Sequence, residues 1–214
     1  MDIFRGHEIW LETEKTRKEV FVKVGWGHAM KSDGAYEKEK CNAYLITPSN
    51  KRLQLYIDDL RFRVKEEGVY IVVVEYNFGI GSKLKDGSFK RGPVKDAKRS
   101  YFYQYAKTLI PVNSEVYDRN IGNILEIIFL DSQLKVVYEK KPLPNQKVEC
   151  TYKSYEGKDF PITTTTNQEG IVNISLDNDL WLFKVSYTDE TKKTLFYDNT
   201  KITSTLTVKK RWYE

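Results

Sequence analysis

Apolar and polar residues alternate with a period of two along most of the chain, which is the pattern of β-strands that bury one face. These alternating segments are short and are separated by turn residues. The longest apolar run, from Val69 to Val74, has six residues, and no segment carries the three-to-four-residue apolar repeat of a long helix. The sequence therefore predicts an all-β protein.

The spacing of the segments divides this 214-residue chain into two predicted domains. We assign residues 1–130 to an N-terminal β domain that carries both histidines, and residues 131–214 to a second domain. In the second domain, short strands follow one another between turns at the spacing of a β-sandwich. Its motifs resemble those of transthyretin-like and immunoglobulin-like modules: Pro142-Leu143, the threonine-rich segment 162–166, the turn at Gly170, and Leu180-Trp181. We therefore expect two β-sandwich-like domains.

Two segments near residue 100 have alternative interpretations. Residues 77–100 break the alternation and carry seven Lys or Arg residues, so we expect a long basic surface loop. Tyr101, Tyr103 and Tyr105 follow, and aromatic residues beside a basic loop can stack on single-stranded nucleic acid or sugar. Aromatic residues are also favoured in strands. Because Phe102 and Ala106 line the opposite face, we expect a buried strand that closes the first sheet.

The first two predicted strands contain the only two histidines of the chain. An antiparallel hairpin joins their apolar faces when Leu11 lies against Val24 and Ile9 lies against Trp26. The same register sets His7 against His28, with Cβ atoms about 4.5–5.5 Å apart, close enough for two imidazoles to bind one metal ion. Registers shifted by two residues keep the same side chains on the apolar face, so they are alternatives to this pairing. Histidines hydrogen-bonded to nearby backbone are the structural alternative.

Composition and charge exclude several classes of function. The net charge of +5 arises from 35 basic residues mixed with 30 acidic ones, which gives no nucleic-acid-binding footprint. Neither a Gly-x-Ser-x-Gly motif nor a cysteine signature accompanies the histidines, and no carboxylate pair marks a cleft. We therefore expect no catalytic activity. Cys41 and Cys150 fall in different predicted domains, so we expect buried free thiols rather than a disulfide.

The histidine pair makes a transition-metal site one hypothesis, beside the structural alternative. Imidazole suits nickel, cobalt, copper and zinc, and affinity alone does not choose among these ions. Two histidines leave at least one ligand missing. The candidates nearby in sequence are Glu8, Met30, Asp33 and Cys41.

The motifs around both histidines resemble those of a known family. The segments 6–12 and 25–29, with further matches at residues 105–107, 123–130 and 141–148, are similar to the NikM-like cell-envelope proteins of bacteria and archaea. These proteins form the periplasmic component of nickel or cobalt uptake systems. The resemblance implies that His7 and His28 bind the metal ion, and it favours nickel or cobalt over zinc or copper.

The resemblance also implies a periplasmic or extracytoplasmic location and a membrane transporter subunit as a partner. Residues 1–5 lack the basic start and apolar core of a secretion signal, so we expect that the leader peptide is absent from this chain. The leading hypothesis is a non-catalytic envelope protein that binds a transition metal for uptake. The alternative is an adhesive or carbohydrate-binding envelope module whose histidines are structural.

Overall fold

The computed structural model describes residues 6–16, 19–114, 119–130, 132–177 and 179–209. Over these residues the chain forms 17 β-strands and one short 3-10 helix, Lys38–Lys40, which confirms the all-β prediction. In chain order the strands are β1 (Glu8–Lys15), β2 (Glu19–His28), β3 (Lys31–Ser32), β4 (Cys41–Ile46), β5 (Arg52–Leu55), β6 (Arg61–Arg63), β7 (Gly68–Lys83), β8 (Phe89–Arg91), β9 (Lys98–Val112), β10 (Leu125–Leu130), β11 (Gln133–Tyr138), β12 (Lys141–Pro142), β13 (Lys147–Tyr152), β14 (Ile162–Thr165), β15 (Ile171–Asn173), β16 (Leu180–Asp189) and β17 (Asn199–Lys209). No helix in these ranges has the length and apolar character needed to span a membrane.

Nine of these strands form one large sheet. Its order is β14-β13-β16-β17-β9-β7-β4-β5, and β8 pairs with the outer part of β7. β9 and β17 run parallel, from the pair Ser100 and Asn199 to the pair Thr108 and Thr207. β9 therefore lies in the interior of the sheet, and the expectation that it closes a first sheet is wrong. A strand can pair along both edges through its backbone groups. The side-chain pattern of β9 therefore does not show whether one strand or two strands pair with it.

The large sheet includes strands from both sides of residue 130. The predicted boundary between residues 130 and 131 lies between β10 and β11, which pair with each other from Leu125–Tyr138 to Leu130–Gln133. The independent folding of residues 1–130 and 131–214 stays a prediction.

Two smaller sheets cover opposite faces of the large one. The first contains β1, β2, β3 and β6, and the second contains β10, β11, β12 and β15. Along β7, Val72 and Val74 pack with β1 and β2 in one core, whereas Ile71 and Val73 pack with β10 and β11 in the other. A strand buried on both faces reads as a continuous apolar run, which accounts for the segment from Val69 to Val74.

Residues 77–83, 89–91 and 98–100 lie in paired strands, whereas the sequence predicts a loop over the whole of 77–100. β7 continues to Lys83 and β9 begins at Lys98, and these two residues face each other at the end of the ladder. The register shifts between Asn77 and Gly79, so Phe78 is the extra residue of a β-bulge. Gly79 has a φ of +89°, which glycine adopts without strain. The loop prediction is wrong because ladder hydrogen bonds join backbone groups and need no apolar alternation.

β2 pairs with one edge of β1, and side chains of the large sheet form hydrogen bonds with the other edge. The hydroxyls of Thr205 and Thr207 donate to the carbonyls of Ile9 and Leu11, each at 2.7 Å. The side chain of Gln104 accepts a hydrogen bond from the amide of Ile9 at 2.9 Å and donates one to the carbonyl of His7, also at 2.9 Å. Buried backbone groups require such partners. These contacts therefore fix β1, and the histidine beside it, on the large sheet.

Candidate metal centre

β1 and β2 pair in the register that the apolar pattern predicts. The cross-strand partners include both predicted pairs, Leu11 with Val24 and Ile9 with Trp26. The last paired residues of the ladder are Glu8 and Gly27. His7 directly precedes Glu8 and His28 directly follows Gly27, so each histidine lies one residue beyond the last pair of this ladder.

Close packing explains the glycines on either side of Trp26. A Cβ atom at Gly25 would lie 2.0 Å from the ring of Trp10, and one at Gly27 would lie 2.0 Å from the carbonyl oxygen of Lys31. Neither position has room for a side chain. The Gly-Trp-Gly sequence therefore lets β2 approach both the Trp10 ring and β3 directly before His28.

His7 is buried between an aromatic ring and a carboxylate. Its ring lies edge-on to Trp26, with 5.9 Å between ring centroids. Its Nε2 atom is 3.6 Å from the Oδ2 atom of Asp33, whose side chain is mostly exposed. The Nδ1 atom is buried, and no described residue forms a hydrogen bond with it.

His28 is half-buried and has similar surroundings. Its ring lies edge-on to Phe160 at 5.2 Å, and its Nε2 atom is 3.6 Å from the exposed carboxylate of Asp159. Its Nδ1 atom is 3.4 Å from the Oε2 atom of Glu8. This contact is an ion pair when the ring is protonated. The Nδ1 atom has no hydrogen-bond partner within the described part of the chain. The carboxylate of Glu8 raises the pKa of His28, and burial opposes this effect.

Glu8 and Lys184 form a buried ion pair beneath the histidines. The Nζ atom of Lys184 is 3.0 Å from the Oε2 atom of Glu8 and donates to the carbonyl of Gly6 at 2.9 Å. The other carboxylate oxygen of Glu8 accepts from the amide of Ala29 at 2.7 Å. Both charged side chains are buried. The pair therefore joins the start of β1 to β16 and to the turn after β2.

The turn that follows His28 depends on this carboxylate. Ala29 and Met30 connect β2 to β3 and have φ angles of 49° and 63°. Two positive φ angles are typical of a type I′ hairpin turn, in which asparagine and glycine are preferred. Side chains at these positions cost free energy. The hydrogen bond from Ala29 to Glu8 helps to keep the turn, and hence His28, in place.

The other predicted ligands lie in different surroundings. Met30 is buried in a small cluster with Trp10 and Leu182. The thiol of Cys41 is 3.7 Å from the backbone carbonyl of Glu37, and burial raises its pKa to about 12. Both cysteines of the chain are free thiols. The described ranges contain no group of three His, Cys, Asp or Glu side chains that could hold a metal ion, so the four additional ligands stay predictions.

Sequence analysis missed three residues of this centre. Lys184 is a lysine within the otherwise apolar stretch from Leu180 to Val185, which is a signal that it needs a buried partner. Asp159 and Phe160 lie in a connection between β13 and β14 and give no comparable signal. Only the tertiary structure places them against His28.

The fold and this centre define an all-β protein in which a two-histidine hairpin is packed on a large mixed sheet. The family model described as Domain of unknown function (DUF4198) matches residues 4–189, and the chain therefore belongs to this family. A comparison with curated proteins gave no match. Among solved structures, a two fibronectin type-III domain segment from chicken tenascin is similar over 92% of this chain and 98% of its own length, with 10% identity and a TM-score of 0.23. Such a similarity supports no conclusion about function.

Proposed function

We propose that this protein is a non-catalytic cell-envelope protein that binds a transition-metal ion, preferably nickel or cobalt, at His7 and His28 for uptake. The observation that supports the proposal is the state of the two Nδ1 atoms. Both are buried, and neither has a hydrogen-bond partner among the described residues. A buried polar atom without a partner costs free energy. Coordination of a metal ion by the imidazole lone pairs removes this cost.

The second nitrogen of each ring supports the same proposal. Nε2 of His7 and Nε2 of His28 each lie 3.6 Å from an exposed carboxylate, that of Asp33 and that of Asp159, slightly beyond hydrogen-bond distance. Histidines that bind metal ions usually donate their other ring N–H to a carboxylate, a carbonyl or water, which fixes the tautomer. A proton on Nε2 leaves the lone pair of Nδ1 for the metal ion.

Glu8 is the nearest additional donor, and its ion pair affects the expected affinity. Its Oε2 atom lies 3.4 Å from Nδ1 of His28 but also 3.0 Å from the ammonium group of Lys184. A positive charge this close repels a divalent cation. We therefore expect moderate affinity, with water at the remaining coordination positions. Moderate affinity suits an uptake protein, because such a protein must release its ion.

Calorimetric titration of protein prepared without a histidine tag tests the proposal. Because the chain has only two histidines, the double variant His7→Ala/His28→Ala has no imidazole left. We expect wild type to bind one Ni²⁺ or Co²⁺ ion and the double variant to lose that binding. Asp86→Asn, an exposed carboxylate in the connection between β7 and β8, is the control and should bind like wild type. Equal affinity in wild type and the double variant would show that the histidines are structural.

The pH dependence of binding provides a second measurement. A metal ion requires neutral imidazole, whose free pKa is about 6.5, so protons compete with the metal. The affinity should fall between about pH 7 and pH 5, and the fall should begin at higher pH than for a free imidazole because Glu8 raises the pKa of His28. Nickel should also raise the melting temperature, because it binds the folded hairpin and not the separated strands. A melting temperature that does not change with nickel would contradict the proposal.

A tyrosine-lined cavity favours a second candidate, an adhesive or carbohydrate-binding envelope module. The cavity has a volume of about 320 Å³, and its lining includes Tyr101, Tyr103, Tyr105 and Tyr197. The rings of Tyr101 and Tyr197 are 5.2 Å apart. Glycan-array screening separates the two candidates, and we expect no saccharide ligand. Glycan binding that disappears in a folded Tyr101→Ala/Tyr197→Ala variant would favour the second candidate.

A further inference from the structure

A cavity of about 250 Å³ lies beside His7, on the face of the large sheet that also carries β1 and β2. One water occupies about 30 Å³ in the liquid, so the cavity has room for several waters or one small organic molecule. Side chains from β9, β16, β17 and β8 face it. They are Phe102 and Gln104 from β9, Lys184, Ser186 and Thr188 from β16, Lys201 and Thr203 from β17, and Phe89 from β8. We propose that this cavity binds a small organic anion that joins one carboxylate to an apolar ring.

The charges around the cavity favour an anion. Its lining contains His7, Lys184 and Lys201, and no acidic side chain among the residues described. The charge of Lys184 is compensated by Glu8 at 3.0 Å. Lys201, by contrast, forms no ion pair with any residue in the described ranges, and its ammonium group lies 5.6 Å from the ring of Phe102. One positive charge is therefore left to pair with one carboxylate.

The surroundings of Lys201 make this charge costly without a ligand. Burial lowers its pKa, and the neighbouring lysines Lys98 and Lys83 lower it further, whereas Glu190 acts in the opposite direction. A carboxylate bound at the ammonium group offsets both the burial and the repulsion. Ligand binding thus stabilises a charge that the protein leaves without an ion-pair partner in its described residues.

The side chains that line the cavity favour an organic anion over an inorganic one. Phe89 and Phe102 supply apolar surface, which favours a ligand with a ring or other apolar part. Ser186 and Thr203 are opposite each other on β16 and β17, with their hydroxyl oxygens 3.0 Å apart. Hydroxyls can donate to a carboxylate. Inorganic phosphate would use the charge and the hydroxyls but not the phenylalanine rings.

Ligand-observed NMR titration of metal-free protein tests the proposal, with benzoate as the probe. We expect benzoate to bind. Benzamide has a similar shape and no charge, and acetate has the charge and no ring, so both should bind more weakly by about tenfold or more. Equal binding of benzoate and benzamide, or no binding of benzoate, would overturn the proposal. Because no metal ion is present, such a failure would leave the metal proposal unaffected.

Matched variants locate the binding at this cavity. Lys201→Met removes the uncompensated charge and should weaken benzoate binding by about tenfold or more. Lys193→Met makes the same change in net charge at an exposed position between β16 and β17, outside the cavity lining, and should bind like wild type. Thr203→Val removes one hydroxyl without changing the charge and should weaken binding several-fold. If Lys201→Met does not fold, by circular dichroism, Thr203→Val decides. Unchanged affinity in the deciding variant would overturn the assignment.

Discussion

The carboxylate of Glu8 connects three parts of the molecule through a single side chain. It accepts a hydrogen bond from the amide of Ala29, forms an ion pair with the ammonium group of Lys184 and lies 3.4 Å from Nδ1 of His28. Because Glu8 is fully buried, its charge cannot be screened by solvent. Removing one partner of a buried ion pair leaves the other charge uncompensated, which makes the pair a point where stability can be tested.

Lys184→Met should lower the free energy of unfolding by about 3–5 kcal/mol, the usual cost of breaking a buried pair. Urea unfolding at neutral pH measures the change. The double variant Glu8→Gln/Lys184→Met, which leaves neither charge buried, should be more stable than Lys184→Met alone. Lys23→Met removes an exposed partner of Glu14 and serves as the control, with little expected effect. Equal effects of Lys184→Met and Lys23→Met would contradict the prediction.

His28 makes the stability of the protein depend on pH. Because Glu8 raises its pKa, the folded protein keeps this proton to higher pH than the unfolded chain, whose histidine pKa is about 6.5. The resulting stabilisation is complete below about pH 6.5 and is lost as the pH rises through the folded pKa. Metal-free wild type should therefore exceed His28→Gln in unfolding free energy by more at about pH 5.5 than at about pH 8.5. A difference that does not depend on pH would argue against this role of Glu8.

Charged residues within apolar strands are the sequence signal for such buried pairs. Lys184 is one example, and Lys107 and Glu126 form a second buried pair at 2.8 Å. The pattern shows that each residue needs a partner, because an isolated buried charge is very costly. It does not show which partner, since Glu8 and Lys184 are 176 positions apart.

At the scale of elements, β1 is held by two different kinds of hydrogen bond. One edge pairs with β2 through the backbone, from Lys15 to Glu8. The other edge is satisfied by the side chains of Gln104, Thr205 and Thr207. An unpaired edge strand is otherwise a site of aggregation. These side chains therefore allow the hairpin to pack edge-on against the large sheet.

Thr205→Val and Thr207→Val test this arrangement. Each replacement keeps the shape of the side chain but leaves one buried carbonyl of β1 without its donor, at a cost of about 1–3 kcal/mol. Urea unfolding measures the loss of stability, and hydrogen exchange should become faster for the amides of β1. Thr163→Val, at an exposed position on β14, is the control. Hydrogen-exchange protection of β1 that is unchanged in the combined variant Thr205→Val/Thr207→Val would show that other contacts hold this edge.

The register of the hairpin could be predicted, whereas the strands after Asn77 could not. In β1 and β2 the alternation of apolar residues determines which faces meet, because a slip of one residue would expose the whole apolar set. Residues 77–83 are rich in glycine and have no such alternation. Their ladder with β9 consists of backbone hydrogen bonds, which need no apolar alternation, so the sequence pattern there indicates a loop.

At the scale of the whole molecule, the parallel pairing of β9 with β17 connects the two halves of the chain. Nine residue pairs link the strands, from Ser100–Asn199 to Thr108–Thr207. One core also combines residues from both sides of residue 130, such as Val73, Tyr105, Phe183 and Leu206. Separation of the halves would expose this shared core and break the ladder. We therefore expect the halves to unfold together.

Urea unfolding monitored by two signals tests this expectation. Tryptophan fluorescence reports on the four tryptophans, Trp10, Trp26, Trp181 and Trp212, which lie on both sides of residue 130 in the sequence. Far-ultraviolet circular dichroism reports on the strands. A single cooperative transition gives coincident curves. Two separate transitions would support the independent domains 1–130 and 131–214 that the sequence predicts.

The sequence by itself determined the strand class, the facing of the first hairpin and the register of its apolar pairs. All three follow from apolar alternation, which acts between residues close in the chain. The tertiary structure decided the neighbour of β9, the partner of Glu8 and the surroundings of both imidazole rings. These contacts join positions far apart in sequence through backbone groups or single charged side chains. Neither kind of group has a local sequence pattern that identifies its partner.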